Sequence, residues 1–175
     1  MIREKYTVTA IVLHWAIALM MAIAFSVGLY MCDLKLSPWK LHVYAWHKWV
    51  GVTILGLVLF RILWRMLHHP PPLPMHMTLW MKWLSGLAHL AIYLLMVAIP
   101  VTGWLYSSAA GVSVVYLNLI PLPDLMGKDK ALSHLLKEIH ETLNWTMLAF
   151  VVLHVAAALK HQFMDHDHLL ERMRP

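Results

Sequence analysis

The residues best placed to do chemistry in this chain are four histidines. His140 and His154 stand fourteen residues apart on the last hydrophobic segment, while His14 and His47 fall on the first and second. Fourteen residues of α-helix rise about 21 Å and return to within about 40° of the same face. One helix can therefore aim two imidazoles inward at two depths. Two imidazoles on neighbouring helices at one level can clamp a flat macrocycle, each giving one nitrogen to a haem iron.

The elements that must position these rings are membrane helices. Hydrophobic residues make up 61% of the chain and charged ones only 13%, a balance suited to lipid. About 20 apolar residues cross a bilayer core, which predicts spans near 8–31, 42–65, 83–106 and 140–163 in one domain covering 1–175. The expected fold class is all-α, an integral membrane four-helix bundle enclosing two b-type haems. The first span is too long for the apolar core of a cleavable leader and is expected to stay in the fold. Ser107 to Lys130 is expected to be a loop, and the polar stretch from Lys128 to Glu141 a helix that runs on into the fourth span. The proline-rich link from His68 to His76 is expected to be stiff and extended.

The chain reverses at each span, so depth can be assigned. His14 and His154 share the level nearer the termini, and His47 and His140 share the opposite level. The same fourteen-residue step leads from His47 to Arg61, a candidate partner for haem propionates at the His14/His154 level. It leads from His14 to Gly28 and from His89 to Gly103, where a missing side chain lets a ring approach the backbone. His89 has no partner of matching depth in this scheme and is expected to serve packing or a hydrogen bond. His161, two turns beyond His154 on the same face, is the candidate for quinone contact or proton transfer. The tail from Asp165 to His168 is expected to be a solvated end rather than a metal site.

Composition also excludes several roles. One cysteine, Cys32, rules out an internal disulfide and a multi-cysteine iron–sulfur or zinc centre. No basic cluster interleaved with aromatics signals nucleic acid, and much of the net charge of +5 suits anionic lipid headgroups. Nine tryptophans gather near the span ends as an interfacial belt. Arg3, Lys5, Arg61, Arg65, Lys82, Lys160, Arg172 and Arg174 lie on the side of the termini, against Lys35, Lys40, Lys48, Lys128, Lys130 and Lys137 opposite. That bias favours cytoplasmic termini, with His14/His154 on the cytoplasmic side and His47/His140 on the periplasmic side.

Several stretches together resemble a known family. They are Ile-Val-Leu-His-Trp at 11–15, His-Lys-Trp-Val-Gly at 47–51 with Arg61 and Arg65 after it, Ala-His-Leu-Ala-Ile-Tyr at 88–93, His-Glu-Thr-Leu at 140–143, and Leu-His-Val-Ala-Ala-Ala-Leu at 153–159 followed by His161. Over nearly its whole length the chain resembles the bacterial di-haem cytochrome b561 family, superoxide oxidase type. The resemblance implies His14, His47, His140 and His154 as haem ligands in the pairs given above. It further implies electron transfer from periplasmic superoxide to ubiquinone in the inner membrane. Lys137, Lys40 and Lys48 are the candidates for attracting the superoxide anion. Relatives of the same topology serve as cytochrome subunits, so a second reading is an electron carrier linking a separate dehydrogenase or hydrogenase to quinone through a redox partner protein. A third is a non-haem metal transporter whose histidines bind transition ions.

Overall fold

A computed structural model describes residues 5–72 and 77–174. Arg3 and His76, used above in the charge balance and the proline-rich link, lie outside the described residues. Four long helices dominate: α1 (Val8–Asp33), α2 (Pro38–Leu67), α3 (Leu79–Ala109) and α4 (Lys130–Phe163). Each is long and apolar enough to cross a membrane. Local chemistry sets their starts. The Thr7 hydroxyl accepts from the Ala10 amide, the Ser37 hydroxyl from that of Lys40 with Pro38 opening the helix, and the Asp129 carboxylate from that of Leu132. Each such cap satisfies one amide that the first helical turn leaves unpaired.

The chain runs up and down, with α1 packed on α2, α2 on α3 and α3 on α4. Outward faces are apolar and open, as Leu19, Leu94 and Val152 illustrate. In water such surface would drive aggregation. In a bilayer it is the ordinary face of a spanning helix, and the chain is a multi-pass membrane protein. The buried centre is small: Ile17, Ile54, Val58, Met96 and Met147, one or two from each helix. Ile54, Met96 and Met147 each stand seven residues from both histidine levels on their own helices. An apolar layer therefore separates the two levels.

Three features depart from the sequence reading or refine it. First, α3 continues to Ala109, because its last turn is buried at Ser107, Ser108 and Ala109 and gripped by the loop that follows. The amides of Gly111 and Val112 donate back to the Ser108 and Ser107 carbonyls. Second, the expected loop contains a small hairpin, β1 (Val115–Tyr116) paired antiparallel with β2 (Ile120–Pro121), docked on α2. The Trp49 indole donates to the Val115 carbonyl at 2.7 Å, and the Thr53 and Tyr116 hydroxyls lie 3.0 Å apart. Third, the tail is not a solvated end. It folds back through a 3-10 turn (Leu169–Met173), and the Trp15 indole donates to the Met173 carbonyl at 2.8 Å. The Arg172 guanidinium donates to the Pro72 carbonyl at 2.7 Å. These bonds tie α1 and the α2–α3 link to the chain end and draw Asp167 inside.

Candidate functional site

The bundle brings the four sequence-selected histidines together in two pairs. His14 and His154 have ring centres 6.3 Å apart with planes at 63°, and His47 and His140 repeat the 6.3 Å separation with planes at 83°. The family-typical group for such a donor set is haem, and the dimensions test whether it fits. An imidazole nitrogen lies about 2 Å from a bound first-row metal and about 1.1 Å from its own ring centre, so two rings sharing one iron stand about 6.2 Å apart. Both pairs meet that requirement.

The outer nitrogen of His140 supports the same fit. A metal-ligating histidine characteristically donates its second N–H to a carbonyl or carboxylate, which fixes the tautomer and aims the other nitrogen. The Nδ1–H of His140 donates to the Ile99 carbonyl at 2.9 Å, leaving Nε2 for a ligand, and the Thr102 hydroxyl lies 3.3 Å away. His47 Nδ1 is buried with only a marginal interaction, toward the Ala24 backbone. The seat of His140 is built locally by α3. The Ile99 carbonyl faces α4 and accepts the His140 proton, one residue before Pro100, and Gly103 leaves room for the ring. A Cβ built at Gly103 would lie 3.0 Å from His140 Cε1, and one at Gly28 would lie 3.3 Å from His47 Cε1. Both glycines thus approach an imidazole.

The level nearer the termini holds more than a pair. His89 packs edge-on against His154 with ring centres 5.4 Å apart, and its Nδ1–H donates to the Ser85 carbonyl at 2.7 Å. This corrects the reading of His89 as a residue without a depth partner. It stands ten residues into α3 and His154 nine from the end of α4, so antiparallel packing brings them level. Treating each level as a two-residue clamp concealed the third ring. Arg61 lies within electrostatic range of His14 and His154, and its Nε–H donates to the Tyr93 hydroxyl at 3.1 Å. Arg65 also approaches the Tyr93 ring. Tyr93 was named only within a motif, and the helical step from His89 to Tyr93 was the signal for it.

The three candidate lysines lie toward the opposite end, and each has a neighbour. Lys40 donates to the Leu34 carbonyl at 2.6 Å, Lys48 to the Val112 carbonyl at 3.3 Å, and Lys137 lies 3.4 Å from a Glu141 carboxylate oxygen. A carbonyl leaves an ammonium its full charge, whereas Glu141 offsets that of Lys137. His161 sits on the side of the termini and lines a cavity of about 290 Å³ with Met77, Met81, Lys160 and Asp165. Its Nδ1–H donates to Asp167 at 2.7 Å, with Asp165 at 3.2 Å. Asp167 had been assigned to a solvated tail; only the folding back of that tail shows its place.

Comparisons with known proteins follow the same lines. The family model described as prokaryotic cytochrome b561 matches residues 5–175. Cytochrome b561 homolog 2 of Escherichia coli (strain K12) is 31% identical over 172 residues, covering 97% of this chain and 91% of that protein. The protein named "Probable superoxide oxidase CybB" of Yersinia pestis is 31% identical over 178 residues, covering 98% of this chain and 97% of its own length. Cytochrome b561 homolog 1 of Escherichia coli (strain K12) is 24% identical over 181 residues. With its four apolar helices and full-length match, the chain belongs to the prokaryotic cytochrome b561 family, a family of membrane electron-transfer proteins that bind b-type haem.

Proposed function

We propose that this protein oxidises superoxide at the periplasmic face and reduces ubiquinone near the cytoplasmic face of the bacterial inner membrane, with both termini cytoplasmic. The observation that carries the reading is the repeated 6.3 Å histidine pair at two depths. The likeness to a protein named for superoxide oxidation supports the choice of donor. His47 and His140 hold one haem b, and His14 and His154 hold the other. Because two histidines would hold each iron, haem bound there would supply one-electron transfer rather than oxygen binding. Each superoxide gives up one electron and leaves as dioxygen. Two such events supply the electrons that, with two protons, convert quinone to quinol.

The residues divide that work. Lys40, Lys48 and Lys137 raise the local concentration of the superoxide anion at the periplasmic end. Arg61, half-buried beside the other pair, balances propionate charge and is steadied by Tyr93. The apolar layer of Ile54, Met96 and Met147 keeps water from the path between levels. His161 meets the quinone and moves its proton.

Rapid mixing tests the proposal. Oxidised protein given a superoxide pulse should show fast haem reduction, and ubiquinone should restore the oxidised spectrum. Haem that stays oxidised after the pulse, yet accepts electrons from a soluble dehydrogenase, would replace this reading with a partner-dependent carrier. His47→Ala or His140→Ala should lower haem content from about two to about one per chain, and His14→Ala or His154→Ala should remove the other. Unchanged content in all four variants would refute the ligand pairs.

A further inference from the structure

The group at His161 has a composition that the electron path alone does not require. Asp167 is drawn inside by the folded-back tail, its side chain only 2% exposed, and its Oδ2 lies 2.7 Å from His161 Nδ1. Asp165 is 3.2 Å from the same nitrogen, but both its oxygens also accept from the Lys160 ammonium, at 2.8 and 2.6 Å. Ligand atoms of His161, Asp165 and Asp167 lie within 4.8 Å of one another, a spacing open to a metal ion. Lys160 already supplies a cation at Asp165, so the cluster is better described as two charge pairs side by side, Lys160 with Asp165 and His161 with Asp167. The cavity of about 290 Å³ opens beside them. One wall is Met77, just before α3, and Met81 in its first turn, soft apolar side chains that suit a planar ring, while Lys160, His161 and Asp165 form the polar edge.

We infer that Asp167 is the positioning residue for quinone reduction, holding His161 in the Nδ1–H tautomer so that Nε2 serves a quinone headgroup in the Met77/Met81 cavity. This rests on the function proposed above. A carboxylate only accepts hydrogen bonds, so its partner nitrogen must carry the proton. Nδ1 is thereby committed, and Nε2 is the nitrogen left for exchange. In turnover Nε2 takes a proton from water and passes it to the near carbonyl oxygen of the quinone, while Asp167 keeps its bond to Nδ1–H and balances the charge on the ring between the two steps. The far oxygen takes the second proton from water at the cavity mouth. Two electrons arrive from the reduced haems, both C=O groups become C–OH, and His161 returns to its starting tautomer. The division of roles is that of a histidine oriented by a buried carboxylate, in which the carboxylate fixes the tautomer and does not itself take the proton.

The test isolates the quinone half of the reaction. Holoprotein is reduced chemically, freed of excess reductant and mixed without oxygen with a short-chain ubiquinone, and haem reoxidation is followed as quinone concentration varies. Asp167→Asn places an amide that can donate to Nδ1 and favours the wrong tautomer. It should lower the limiting rate at least about tenfold with the half-saturating quinone concentration little changed, and Asp167→Glu should recover most of the loss. Nitrogen resonances of labelled His161 should report Nδ1–H in the native protein and a shift toward Nε2–H in Asp167→Asn. Native kinetics and an unchanged tautomer in Asp167→Asn would overturn the inference. Should that variant lose haem, His161→Gln takes its place, and a native limiting rate there would equally overturn it. If the native protein, once reduced, fails to pass electrons to quinone, the proposed function falls, and this inference with it.

Discussion

At the residue scale, the glycines are the sharpest probes of how the imidazoles are seated. His140 is held from behind by the Ile99 carbonyl and faces Gly103, where an added Cβ would come within 3.0 Å of Cε1 and 3.3 Å of Nδ1. The ring cannot retreat without breaking its hydrogen bond. Gly103→Ala should therefore cost about 1–3 kcal/mol in overpacking and lower haem retention at the His47/His140 pair, read as haem per chain after purification. Gly28→Ala, at 3.3 Å from His47, should show a smaller loss. Gly56→Ala meets nothing within 4 Å and should leave haem content native. Equal haem in all three variants would mean that the rings are not seated by backbone approach. The four paired histidines and both glycines were legible because one number, the fourteen-residue step, governs them all. The depth of His89 was misread because neighbouring rings at one level need not share a ligand, while its contact with His154 and its bond to the Ser85 carbonyl are the expected packing and hydrogen bond. The carbonyl of Ile99 was invisible because backbone acceptors leave no mark in a sequence.

At the scale of elements, the hairpin after α3 shows how a loop is fastened over the end of the bundle opposite the termini. Three side chains of α2 hold it: Lys48 and Thr53 on either side of Trp49, whose indole donates to the Val115 carbonyl at 2.7 Å. At its other end, the Asp129 amide donates to the Ala109 carbonyl and its carboxylate caps α4. Trp49→Phe keeps the aromatic bulk and removes the donor. It should cost about 1 kcal/mol and speed amide exchange in the hairpin, with exchange in the middle of α2 unchanged. If exchange in the hairpin stayed native, the docking would rest on packing rather than on this bond. The four helices were readable from apolar length alone, and the continuous α4 from its polar approach. The hairpin was not, because its strands are two residues each and are fixed by contacts with α2 that lie far away in the chain. The folded-back tail escaped for the same reason: Trp15 meets Met173 across a separation of 158 residues.

At the scale of the whole molecule, the proposed function makes charge the property that separates its two half-reactions. The chain is net positive, and the lysines proposed for the donor end include Lys40 and Lys48, which donate to carbonyls, with the Asp124 carboxylate acting on Lys48 through space. A superoxide anion approaching that end should be steered, whereas neutral quinone reaching the opposite end should not. The distance over which such steering acts falls from about 30 Å at 0.01 M salt to about 8 Å at 0.15 M. The second-order rate of haem reduction by superoxide should therefore fall several-fold across that range, while reoxidation by ubiquinone stays level. Lys48→Gln should flatten the salt dependence more than Lys137→Gln, because Glu141 already offsets Lys137. Stopped-flow rates at a series of ionic strengths decide the matter. A superoxide rate indifferent to salt would remove the lysines from the donor side. A quinone rate that fell with salt would show the charged groups edging the His161 cavity acting on the acceptor, which a neutral quinone does not predict.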